Sequence, residues 1–188
     1  MNVLKTRRNF LKAAAFTGCV LPLNRLMWQA QDECADRLNI MRIRYQKGFA
    51  VERAQLFKKL VSEYGSGVLE IVKQNTIEDS RRTLQQSNLN KRDLDTVIEI
   101  LWKPSEGILK YQIEQQSQEF LKLRVTECIF AEAMRENDAA DIGLAFYCAY
   151  DYGFCEGLNP DIIFTRTKTL MEGHGYCDHT YVLKKFHV

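Results

Sequence analysis

The sequence has no surplus of charge of one sign: 26 lysines and arginines face 24 acids, a net charge of +2 over 188 residues. That balance makes no strong positive field, which argues against nucleic acid as a partner. No apolar run is long enough for an ordinary membrane span. No internal repeat, low-complexity tract or linker divides the chain. The six cysteines include no Cys-x-x-Cys pair, so no zinc knuckle can be read from spacing. What is present is an ordinary soluble balance, 46% hydrophobic and 27% charged, with enough chain for one domain with a real core.

The N-terminus reads Thr6-Arg7-Arg8-Asn9-Phe10-Leu11-Lys12, followed by a nearly uncharged stretch from Ala13 to Leu23. A positive segment ahead of a short apolar one, broken at Pro22, is the pattern of a secretory signal. The adjacent arginines place it in the twin-arginine class. Residues 1–30 are therefore expected to be a twin-arginine signal, and residues 31–188 a single domain. The expected location is periplasmic or otherwise extracytoplasmic, with the twin-arginine translocation machinery as a partner. Thr17-Gly18-Cys19 resembles a lipoprotein box, so membrane contact would come through the signal or through a lipid anchor at Cys19.

From residue 32 to 64 the pattern is helical, with Leu56, Phe57, Leu60, Val61 and Tyr64 on one face. A second helix starts near Val68, with a restart signalled by Thr76 and Asp79 at capping-box spacing. A third holds Leu94, Val97, Ile98, Leu101 and Trp102 and stops at Lys103-Pro104. Residues 109–115 and 119–125 then read as two antiparallel strands. Residues 127–136 read as a short helix. Asn137 or Asp138 is placed to cap a helix from Ala139 to about Glu156. Residues 162–170, rich in β-branched side chains, and 176–183 read as a closing hairpin with a turn at 171–175. The fold class predicted is α+β: a helical N-terminal half, then a small antiparallel sheet crossed by one or two helices.

Reactive side chains crowd into the last forty residues. Cys148, Asp151, Tyr152 and Cys155 are three and four apart and share a helix face. Cys177 and His179, two apart on a strand, point to the same side. The cysteines admit three readings: buried core residues, disulfides, or chemistry. Cys148 and Cys155 cannot bridge while both stay helical, because seven residues rise about 10.5 Å and a bridge needs α-carbons within about 7 Å. Cys148 with Cys177, or Cys34 with another, stays open. Metal ligation by Cys148, Cys155, Cys177 and His179 is the weak option, so the cofactor is left unknown, none or a divalent metal. Cys148 or Cys177 could equally be a nucleophile with His179 or an Asp as proton acceptor. Arg166 suits a substrate carboxylate; an ion pair with Asp151, Asp161 or Asp178 is the alternative.

Three segments together carry a resemblance. They are Arg124-Val-Thr-Glu-Cys128-Ile-Phe-Ala-Glu132, Cys148-Ala-Tyr-Asp151 followed by Asn159-Pro160, and Thr165-Arg166-Thr167-Lys168-Thr169-Leu170-Met171-Glu172-Gly173 with Tyr176-Cys177-Asp178-His179. This pattern resembles the L-2-amino-thiazoline-4-carboxylic acid hydrolase family, over about residues 120 to 183. The resemblance implies a hydrolase that opens a small cyclic amidine or isothiourea ring bearing a carboxylate. Laid onto this chain, the catalytic set is Cys148, Asp151, Cys177, Asp178 and His179. The substrate-binding set is Asn159, Arg166, Thr167 and Thr169. Water, or a thiolate of Cys148 or Cys177, attacks ring carbon C2, Asp151 or Asp178 holds the amidine nitrogens, and His179 moves the proton. The alternative from another class is an exported small-ligand or metal-binding module without turnover.

Overall fold

The computed structural model describes residues 20–184, with side chains from residue 35 onward. The Arg7-Arg8 motif, Cys19 and the side chain of Cys34 lie outside the described residues. So does most of the expected signal, which is described only from Val20, where a helix begins. Among the described residues no helix is long and apolar enough to cross a membrane.

That helix, α1 (Val20–Tyr64), runs through the boundary between two units that part at Arg42 and Ile43. In the first unit Arg42 donates to Asn39 at 3.0 Å. The rest concerns the unit from Ile43 onward. Here α1 buries Ala50 and Ala54 completely, whereas Leu56 and Tyr64 are exposed. The buried seam is thus one of small side chains with Phe57 beside them; of the expected face Leu60 and Val61 are half-buried as well, and Leu56 and Tyr64 fall outside it. Gly65, at φ 82°, ends the helix and its N–H returns to Val61 O at 2.8 Å, the left-handed cap that glycine favours.

Next come α2 (Gly67–Gln86) and α3 (Leu94–Val97), which passes into a π-helical turn, Ile98–Trp102. No restart occurs at Thr76: α2 is continuous, and the Thr76 hydroxyl donates back to Val72 O at 2.9 Å. Strands β1 (Leu109–Gln116) and β2 (Phe120–Cys128) form a hairpin. Then follow α4 (Ile129–Glu136), α5 (Ala140–Gly143), a second π-helical turn (Leu144–Cys148) and α6 (Tyr150–Leu158). The cap ahead of α5 is Ala139, with no side-chain bond, rather than Asn137 or Asp138. Asp138 instead takes a φ of 47°, and the Asn137 amide turns back to Ala133 O at 2.8 Å.

Strands β3 (Ile162–Thr165) and β4 (Cys177–Leu183) complete a four-stranded antiparallel sheet in the order β1-β2-β4-β3. The predicted α+β class, helical first and sheet-forming second, is the observed one. The predicted strand 162–170 is shorter. The backbone N–H groups of Thr167 and Lys168 donate to the Asp178 carboxylate at 2.9 and 2.5 Å, and that of Leu170 to Cys177 Sγ at 3.1 Å. These side-chain acceptors take the donors that a longer ladder would use, so the β-branched run leaves the sheet after Thr165.

One face of the sheet packs on the helices. Leu121, Leu123 and Tyr181 are fully buried there with Leu94, Val97, Trp102 and Phe154. The closest helix contact is α2 on α6. A Cβ at Gly153 would lie 2.0 Å from Ile77 O, and one at Gly157 2.3 Å from Arg81 O. Only hydrogen at these two positions allows the backbones to meet. Arg92 seals the same corner, donating to Leu84, Ser87, Gly157 and Leu158 carbonyls at 2.8–3.1 Å. One cation thereby satisfies the C-terminal carbonyls of two helices. Gly153→Val is expected to lower stability by about 3 kcal/mol or more through backbone overlap, read as a fall in the urea midpoint.

Candidate active site

The geometry of β4 sorts its side chains. Cys177, His179 and Tyr181 are buried on the inner face, while Asp178 and Thr180 alternate outward. Loop residue Arg166, just past β3, reaches back under α6. Its Nη1 donates to Asp151 Oδ2 at 2.5 Å and contacts His179 Nε2 at 3.2 Å. Its Nη2 donates to the Cys148 carbonyl at 2.9 Å. Asp151 Oδ2 also lies 3.5 Å from His179 Nε2. A guanidinium only donates, so Nε2 accepts when it faces Arg166 and donates when it faces the Asp151 carboxylate, and the tautomer decides between the two. His179 Nδ1 is buried and has no partner, and neither has Arg166 Nε. None of the described hydrogen bonds reaches Asp151 Oδ1. The Arg166 side chain is 5% exposed and that of Asp151 16%, so the pair is desolvated.

Both π turns end at this place. Trp102 closes the first and stacks edge-on against the His179 ring at 4.9 Å between centroids. Cys148 closes the second. A π turn inserts one residue and re-aims the side chains that follow it. Between the two turns, β2 and α4 lies a cavity of about 310 Å³ lined by Trp102, Cys128, Cys148, Asp151, Arg166, Cys177 and His179, with Leu101, Ile108, Leu109, Phe130, Phe146, Tyr147 and others. Asp151 and Arg166 are the acid and the cation of that lining, and they cancel each other.

Burial governs the thiols. It pushes Cys148 up to about 12 and Cys128 up to about 11. It raises Cys177 and Cys155 as well. These four described cysteines are free, and Cys128 caps α4 by accepting the Ala131 N–H at 3.4 Å. Burial also works against the Asp151 carboxylate, but His179 and Arg166 outweigh it and hold the carboxyl below the ordinary carboxylate range. The arrangement is thus a fixed carboxylate, an imidazole whose Nδ1 has no hydrogen-bond partner, and protonated thiols.

The residues singled out from sequence do not all meet. Cys148, Asp151, Arg166, Cys177 and His179 do. Asp178 faces the other side of the sheet and is occupied by Thr167, whose hydroxyl donates to it at 2.5 Å, and by the Lys168 N–H. Thr169 is buried in a turn with Glu172, 3.0 Å away. Asn159 donates to Arg92 O at 2.9 Å and accepts the Asp161 N–H at 2.9 Å, holding the corner after α6. Cys155 is in the core and outside the cavity. Among the described residues no group of three or more Cys, His, Asp or Glu is placed to hold a metal ion, so Cys148, Cys155, Cys177 and His179 do not form a ligand set. The Arg166 fork is filled by Asp151 and the Cys148 carbonyl, so the ion-pair alternative is the one observed. Trp102, Cys128, Phe130 and Tyr147 line the cavity without having been site candidates in the sequence; Cys128 and Phe130 stood there only within the family-like segment 124–132.

A family model described as L-2-amino-thiazoline-4-carboxylic acid hydrolase matches residues 42–181. The chain belongs to this family. The match takes in the helical half as well as the C-terminal motifs on which the resemblance was read. No curated protein matches the sequence. Among solved structures, the trafficking protein particle complex subunit 3 from Naegleria fowleri, covalently bound to palmitic acid, aligns over 74% of this chain and 95% of its own. That alignment has 14% identity and a TM-score of 0.47.

Asp151→Asn is expected to cost about 3–5 kcal/mol at neutral pH, because it strands the Arg166 charge in a buried site. The folded carboxyl titrates below its unfolded value, so its contribution is present above the unfolded carboxylate pKa. It is lost as pH falls through the folded one. Urea midpoints of the two proteins should therefore converge on acidification. In the native protein at pH 7.5, Cys128 and Cys148 should alkylate with iodoacetamide on the order of 10²-fold or more slower than an ordinary thiol. Peptide mass spectrometry reads this directly.

Proposed function

We propose that the protein is a hydrolase that opens a small cyclic isothiourea or amidine carrying a carboxylate, with water as the nucleophile. Family membership supports the reaction class. The observation that carries the site is one buried cluster beside a cavity in which His179 Nδ1 and Arg166 Nε are left without hydrogen-bond partners next to the Asp151 carboxylate. Buried donors without partners cost about 1–3 kcal/mol each, which a polar ligand recovers. A neutral Arg–Asp pair suits a zwitterion: the amidinium toward Asp151, the carboxylate toward Arg166 Nε.

Asp151, kept ionised, holds the ring nitrogens protonated and makes C2 electrophilic. Water adds to C2. His179 gives its Nδ1 proton to the departing sulfur and takes the proton that water releases. The C2–S bond breaks, leaving a thiol and a carbamoyl nitrogen; one water is consumed and nothing is oxidised. Raised thiol pKa values favour water over Cys148 or Cys177 as the nucleophile.

Incubation of pure protein with 2-aminothiazoline-4-carboxylate should release thiol. Asp151→Asn and His179→Gln should each lower kcat by about 10²–10⁴, while Cys148→Ala and Cys177→Ala stay within about tenfold of the parent. A covalent adduct on either cysteine sinks the water mechanism. No ring opening, with or without divalent metal, turns the reading toward a ligand-binding module without turnover. Export by the twin-arginine route is part of the proposal, supported by Arg7-Arg8 and the apolar stretch after it. A fused reporter should reach the periplasm, and Arg7→Lys with Arg8→Lys should retain it in the cytoplasm.

A further inference from the structure

The cavity is larger and more apolar than a bare ring carboxylate needs. Its volume of about 310 Å³ lies in the range of pockets that hold drug-sized ligands. The charged groups come from α6 and the loop after β3, with His179 from β4, and the second π turn adds Phe146, Tyr147 and Cys148. The stretch from the first π turn through to α4 supplies Leu101, Ile108, Leu109, Phe130 and Ala131. Most of these are only half-buried despite lying inside the fold. Large apolar side chains that border a void lack packing partners on one side, and a matching apolar group restores those contacts. Nothing in that part of the wall carries a charge to reject one.

We infer, resting on the hydrolase reading, that the substrate class is a cyclic isothiourea or amidine carboxylate bearing an apolar alkyl or aryl substituent. The ring sits on Asp151, Arg166 and His179. The substituent lies against Ile108, Leu109 and Phe130. Specificity then resides in the first half of the sheet-forming region, and chemistry in the second.

A series tests this: 2-aminothiazoline-4-carboxylate and its 5-methyl, 5-ethyl, 5-propyl and 5-phenyl derivatives, with Kd by calorimetry and ring opening by thiol release. Kd is expected to fall about fourfold per added methylene until the cavity is full. Ile108→Trp and Ala131→Phe, which fill the space from two sides, should each flatten the series. Two variants are used so that one which fails to fold, as seen by circular dichroism, leaves the other. A Kd that stays flat or rises with substituent size, while the bare ring is opened, overturns the inference and leaves the hydrolase reading intact. A falling Kd without opening of any member supports apolar-ligand binding and overturns hydrolysis. Absence of binding by every member overturns both.

Discussion

The desolvated pair between Arg166 and Asp151 organises this molecule. It joins a loop to a helix, and through the Cys148 carbonyl it reaches the end of the second π turn. A buried ion pair is rarely a net source of stability. Here its consequence is placement: it sits against the His179 ring, keeps Asp151 ionised, and leaves Arg166 Nε and His179 Nδ1 without hydrogen-bond partners. The scaffold around it, from the Gly153 and Gly157 contact to the Arg92 clamp, holds α6 against α2 so that Asp151 cannot drift.

The same desolvation has opposite effects on neighbouring groups. It suppresses ionisation of Cys128, Cys148 and Cys177, which have no strong counter-charge of their own. It fails to neutralise Asp151, which has Arg166. A cluster that looks like thiol chemistry when residues are merely counted is therefore, in its folded surroundings, a carboxylate and imidazole site with thiols as inert lining.

Much of the architecture was legible because short-range periodicity governs it. The alternation of Cys177 and His179 against Asp178 follows from strand geometry, and the closing hairpin was expected from the β-branched run at 162–170. What could not be read depends on partners far along the chain. Nothing near Arg166 chooses among Asp151, Asp161 and Asp178. Nothing near Asn159 reveals Arg92. The strand after Thr165 was overestimated because local propensity cannot register that Asp178, more than ten residues on, takes its backbone donors. Cys128 read as a family motif position and emerged as a helix cap at the cavity wall. The twin-arginine signal expected from Arg7-Arg8 is the reverse case, since the residues it rests on lie outside the described ones.

The two π turns also make the cavity sensitive to chain length. Each residue of helix turns the following side chains by about 100°. Removing one residue from Ile98–Trp102 would restore a regular α-helix there and swing Trp102 away from the His179 ring. The same change in Leu144–Cys148 would rotate Cys148 out of the wall. A π turn is the trace left by a one-residue insertion in a regular helix. Two stretches of the cavity wall thus depend on the length of these turns. Trp102 belongs to both the core and the cavity wall, so the length of that turn bears on both at once.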